Sequence, residues 1–154
     1  MEQVRQSQMI MLQMKEYKKI MKKDISKGLK LWLWFNFIVN LVGAVKTLYY
    51  MPNASVVADY YGYGNDFVTV YILLTVVEII ITVSIAVLGL ARKKAALIVM
   101  VIASIAGLIL NINLCNIIGE FTAENNAKMV ISSLIVPFIT FIFACGDIYD
   151  GIID

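Results

Sequence analysis

"FVTVYILLTVVEIIITVSIAVLGLARKKAALIVMVIASIAGLILNINLCNIIG", residues 67–119, holds two long apolar runs parted by Arg92-Lys93-Lys94. A bilayer's hydrocarbon layer is about 30 Å thick and takes about 20 helical residues to cross, so each run is long enough to span it. The link is too short for anything but a tight reversal, which predicts an antiparallel helical hairpin.

Working outward, two more runs of the same kind flank this pair. Spans are expected at about 31–50, 67–90, 95–119 and 129–149 of the 154 residues. Composition agrees: 60% of residues are hydrophobic and 16% charged, against roughly a quarter charged in soluble domains. The expected fold is therefore an all-α integral membrane protein, a four-transmembrane-helix antiparallel bundle over 31–154 preceded by a cytoplasmic basic segment over 1–30. No cleavable signal is expected, because the first apolar run begins only at Leu31 and has no small-residue cleavage pattern.

Basic residues at span ends resist translocation. They crowd the N-terminal segment (Arg5, Lys15, Lys18, Lys19, Lys22, Lys23, Lys27, Lys30) and the central link (Arg92, Lys93, Lys94), while the other two loops hold only Lys128. Both termini and the central link are expected in the cytoplasm of a plasma or bacterial inner membrane. Residues 51–66 and 120–128 then form the outer loops. In the N-terminal segment, Ile10, Met14, Tyr17 and Met21 recur at helical spacing, with Lys15, Lys18, Lys19, Lys22 and Lys23 toward the other side. That pattern predicts a basic amphipathic helix at anionic lipid headgroups. A contact with a partner, or simple enforcement of topology, would leave the same pattern.

Trp32, Trp34, Tyr49, Tyr50, Tyr60, Tyr61 and Tyr63 mark the membrane interfaces. Laying Lys30 on Lys94 puts Asn40 on Ser104, Gly43 on Gly107 and Thr47 on Asn111, a pattern that suggests spans one and three descend from a tandem repeat.

Each span carries one polar or small stripe at helical spacing: Asn36, Asn40, Gly43 and Thr47; Tyr71, Thr75, Glu78, Thr82, Ala86 and Gly89; Ser104, Gly107, Asn111 and Cys115; Ser133, Pro137, Thr140 and Ala144. Ile72, Val76, Ile79, Ile80, Val83 and Val87 give the second span a lipid face. The stripes are expected to converge in a bundle interior. At about 1.5 Å per residue, Asn40, Glu78, Gly107 and Pro137 fall near mid-membrane. Pro137 has no N–H for the carbonyl of Ser133, so a kink is expected there.

Glu78 is the strongest candidate for function. An unpaired carboxylate at the bilayer centre costs about 2.5–3.5 kcal/mol, so it should be protonated, paired with Lys46, or in contact with water. A carboxyl that exchanges protons suits proton or cation coupling, with Asn40, Thr75, Thr82 and Asn111 along the path. One held permanently by a neighbour only joins helices. Lys46 is free in sequence terms to turn inward or to snorkel outward.

Asp147, Asp150 and Asp154 at the C-terminus fall at helical spacings beside the basic surface, suited to pairing with Arg92–Lys94 or the N-terminal helix, or more remotely to magnesium. Cys115 and Cys145 lie at different depths, which argues against a disulfide. There are no histidines, so the commonest general base and metal ligand is missing. The expectation is a non-enzymatic protein without cofactor, metal or nucleic acid. Its partners would be the bilayer with its anionic headgroups and either other membrane proteins or further copies of itself. The alternative is a proton- or cation-coupled transporter or channel subunit built on Glu78.

Overall fold

The computed structural model describes Gln6 and residues 9–14, 24–120 and 122–154. Residues 9–14 are helical and exposed. Lys15, Lys18, Lys19, Lys22 and Lys23, with most of the expected amphipathic helix, lie outside the described residues.

Helix α1 spans Lys27–Tyr50. It starts where Ser26 caps it, the Oγ accepting from the backbone N–H of Leu29 at 3.4 Å. A single 3-10 turn, Met51–Asn53, leads into the short helix α2, Ala54–Tyr61. Gly62 ends α2 at φ 72°, a left-handed conformation that costs glycine nothing. Then follow α3, Asn65–Ala91, and α4, Lys94–Ile118, joined through Arg92, which holds the left-handed region at φ 57°. Helix α5, Ala123–Tyr149, runs through Pro137 as one assigned helix.

Among the described residues, four helices are long and apolar enough to cross a membrane. They form an all-α bundle in which α3 packs on α1 and α4, α5 packs on α4, and α1 and α5 close the ring. Ile72, Val76, Ile79, Ile80, Val83 and Val87 are all exposed on α3, as befits a face solvated by lipid tails.

Sequence and structure part company at three places. Residues 51–66, read as an outer loop, contain α2, whose Ala54 and Ala58 bury against Phe67 at the start of α3. Lys27 and Lys30, read as part of a separate surface segment, belong to the first turn of α1. The helix starts early because Ile25 and Leu29 are buried in the bundle core while both lysines keep their charges exposed. The aspartate stripe is also broken. The chain turns at Gly151, φ 67°, and folds Ile152 and Ile153 back into the core, so Asp154 is not on the helix.

Two apolar clusters stabilise the bundle. The larger fills the end where residues 24–30, the α3–α4 turn and the C-terminus meet, the basic end, and is built on Leu29, Leu33, Ile85, Leu88, Leu97 and Met100. The smaller, around Ala58 and Phe67, sits at the opposite, distal end. At the basic end the three chain segments are tied together. The N–H of Ser26 donates to Asp147 Oδ2 at 2.8 Å, and Asp24 meets Lys30 at 3.0 Å and Arg92 at 3.1 Å. The N–H of Lys94 donates to the carbonyl of Asp154 at 2.7 Å, whose own N–H donates to the carbonyl of Arg92 at 3.0 Å. Lys93 Nζ bonds the Asp154 carboxylate at 3.0 Å. The hydrogen bond and charge of Lys30 hold the Asp24 carboxyl below its ordinary value, and Lys93 does the same for Asp154.

Candidate functional site

Glu78 is the midpoint of α3 and is half-buried. Its Oε2 accepts from Thr47 Oγ1 of α1 at 2.7 Å. That hydroxyl also lies 2.9 Å from the carbonyl of Gly43, one turn back on its own helix. A hydroxyl has one proton to give and two lone pairs to receive. With Glu78 ionised, the two acceptors compete for a single proton. With Glu78 protonated, the carboxyl donates to Thr47 and Thr47 donates to Gly43, so every group is satisfied. The Thr47 hydroxyl therefore bridges the Glu78 carboxyl and its own helix backbone.

Glu78 faces a cleft of about 360 Å³ walled by all four spanning helices. Asn40 comes from α1, Leu74, Val77 and Glu78 from α3, Ser104, Gly107 and Asn111 from α4, and Ser132, Ser133 and Val136 from α5. Its volume equals that of on the order of ten waters. Asn40 and Asn111 each give one amide N–H to the backbone four residues earlier, at 2.8 and 3.0 Å. Among the described residues no other hydrogen bond engages those amides, so their oxygens remain for the cleft. Pro137 cannot donate to the carbonyl of Ser133. The result is a lining of mixed polarity whose free oxygens suit water, a proton or a small cation.

The cleft exists because α1 and α5 meet mainly at the basic end. Trp32 Nε1 donates to Thr140 Oγ1 at 2.9 Å, and the Trp32 ring packs 6.2 Å from Phe143. Ser26 and Asp147 join the same two elements further toward the terminus. Two turns beyond Trp32 lies Asn40, and one to two turns back from Thr140 lie Val136, Ser133 and Ser132. There the two helices are opposite walls of the cleft. Its floor toward the basic end is the larger apolar cluster.

Other polar residues of the stripes are placed differently. Asn36, Thr75, Thr82, Ser104 and Thr140 are buried, as is Pro137. Asn36, Thr75, Thr82 and Thr140 each donate to the carbonyl four residues back, at 2.7–2.9 Å. Only Ser104 of this group lines the cleft. Lys46 is exposed, and among the described residues no ion pair joins it to Glu78. Of the surface cations, Lys27, Lys30, Arg92, Lys93 and Lys94 gather at the basic end.

Gly107 lets α3 and α4 approach closely: a Cβ there would lie 3.1 Å from Val77 Cγ1. Gly43, its counterpart in the suggested repeat, would meet nothing within 4 Å, so the two glycines do different work. Sequence reasoning missed Ser132, which lies off the Ser133 stripe, and read Trp32 only as an interfacial ring. Trp32 stands four residues before Asn36 and eight before Asn40, and that shared register was the available signal. Compared with known protein families, curated proteins and solved structures, the chain matches none.

Proposed function

We propose that this chain is a small, non-enzymatic polytopic membrane protein that works by association, as an accessory subunit of a larger membrane assembly or as a homo-oligomer. The observation that carries this reading is the cleft between α1 and α5, which is open rather than enclosed and has exposed Ser132 at its wall. A carboxyl, two amides and the hydroxyls of Ser132 and Ser133 left open to hydrocarbon at mid-span are costly. A helix from a second copy or another subunit removes that cost by closing over them. The shared position of Lys27, Lys30 and Arg92–Lys94 supports a cytoplasmic basic end in a plasma or bacterial inner membrane.

A photo-crosslinking residue in place of Ser132, compared with one in place of lipid-facing Ile102, tests this in native membranes. The expected result is a discrete protein adduct at Ser132 and only lipid adducts at Ile102. Lipid adducts at both positions, with monomers in single-molecule bleaching, would sink the reading.

The Thr47–Glu78 geometry favours a second reading, a proton- or cation-coupled transporter or channel subunit with Glu78 as the coupling carboxyl. Carbodiimide labelling at Glu78, with Glu78→Gln as the blank, separates the two. Labelling that falls in a sigmoid as pH rises identifies a carboxyl exchanging protons with water, and Glu78→Gln then abolishes coupled transport. Labelling that is flat with pH identifies a locked group and leaves the association reading alone.

A further inference from the structure

Hydroxyls inside a membrane helix commonly give their proton to the carbonyl one turn back, as Thr75, Thr82 and Ser84 of α3 do at 2.8–2.9 Å. Ser104 of α4 does not. It is 5% exposed, lines the Glu78 cleft, and makes no hydrogen bond among the described residues. A buried hydroxyl left without a partner is costly unless something in the cleft engages it. Three more oxygens of the lining are uncommitted among the described residues. Asn40 and Asn111 turn their amide nitrogens to their own backbones, at 2.8 and 3.0 Å, so the oxygen is the free end of each. Glu78 gives Oε2 to Thr47 and keeps Oε1. Among the described residues no ion pair neutralises its charge.

Resting on the second reading above, in which Glu78 is the coupling carboxyl, we infer that the cleft binds one alkali cation on the Glu78 carboxylate, with the amide oxygens of Asn40 and Asn111 and the Ser104 hydroxyl as its further ligands. The ligands are all hard oxygens from neutral groups except one carboxylate. A single positive charge therefore leaves the mid-span site neutral, whereas a divalent ion would leave a charge uncompensated within the membrane. Ser104 and Asn111 stand seven residues apart on α4, about 10 Å along its axis, so the ion does not touch every oxygen at once. It keeps part of its water, for which a cleft of about 360 Å³ has room, and the Ser104 hydroxyl bonds that water.

The test is carbodiimide labelling of Glu78 in the full reconstituted chain, read by mass spectrometry across pH. NaCl or KCl is titrated against N-methylglucamine chloride at constant ionic strength. Carbodiimide attacks the protonated carboxyl, and a cation on the carboxylate keeps the proton off. Salt should therefore move the labelling midpoint to lower pH, by about one unit for each tenfold rise beyond half-saturation. Ser104→Ala removes a hydroxyl with no protein partner among the described residues and should raise the half-saturating salt concentration about tenfold. Ser84→Ala should leave it unchanged, because that hydroxyl is spent on the carbonyl of Ile80 at 2.8 Å. Labelling that follows pH but ignores both salts overturns the cation site and leaves the proton as the coupled ion, so the second reading survives. Labelling that ignores both pH and salt overturns the site and the second reading together. An equal shift in the two serine variants also overturns the assignment, because the effect then does not come from this lining.

Discussion

Replacing Thr47 by valine tests the central contact with almost no change of shape. The hydroxyl at 2.7 Å from Glu78 Oε2 is the only hydrogen bond between α1 and the α3 carboxyl among the described residues. Removing it strips the carboxyl of its cross-helix donor. Replacing Glu78 by methionine does the reverse, yet leaves Thr47 satisfied, because the carbonyl of Gly43 lies 2.9 Å away. The two substitutions should therefore be unequal. Hydrogen bonds between membrane helices contribute about 0.6 kcal/mol on average and about 1.7 at most. That range places Thr47→Val near 1 kcal/mol, while Glu78→Met should stay within about 0.5 kcal/mol of wild type. Reversible unfolding in mixed detergent micelles, run as a double-mutant cycle, measures both and their coupling. A coupling energy below about 0.3 kcal/mol, or a Glu78→Met cost as large as that of Thr47→Val, would refute the reasoning.

Gly107→Ala should destabilise the bundle by about 1–3 kcal/mol through overpacking against Val77, while Gly43→Ala, with open space around it, should be neutral. Thermal unfolding in detergent compares them. Trp32→Phe removes the 2.9 Å bond to Thr140 and should loosen the α1–α5 seam, read as faster thiol labelling of a cysteine placed at Asn40. Slower or unchanged labelling would count against that bond as the seam's closure. Asp24 and Asp154 have folded-state values below the ordinary 3.8, so their ion pairs contribute fully above that value and are lost as pH falls through the folded values. Wild type and an Asp24→Asn, Asp154→Asn variant should therefore differ near neutral pH and converge as the pH falls through the folded-state values, with the difference shrinking in high salt.

The helices were legible because hydrocarbon solvation leaves a strong signal: long apolar runs, with basic residues at their ends. Span limits moved by a few residues where a cap or a buried side chain extended the helix, as Ser26 and Leu29 do for α1. Periodicity identified which face of each span carries polar groups, but not what each group bonds. Asn36, Thr75 and Thr82 turn back to their own backbone, an option open to any asparagine or threonine in a helix. The pairing of Glu78 with Thr47 depends on the rotation of two helices about their axes. Sequence spacing within one helix carries no information about that rotation. The same holds for Asp147, whose bond to the N–H of Ser26 requires two ends of the chain to meet.

The division of the bundle into an apolar plug and a polar cleft also shapes the electrical profile across it. The plug around Leu29, Leu88 and Met100 is apolar throughout, whereas the cleft is lined by a carboxyl, amides and hydroxyls, so the membrane voltage should fall more steeply across the plug than across the level of Glu78. A full crossing corresponds to about 2.3 kcal/mol per elementary charge per 100 mV. Length for length, the plug's share of that work then exceeds that of the cleft.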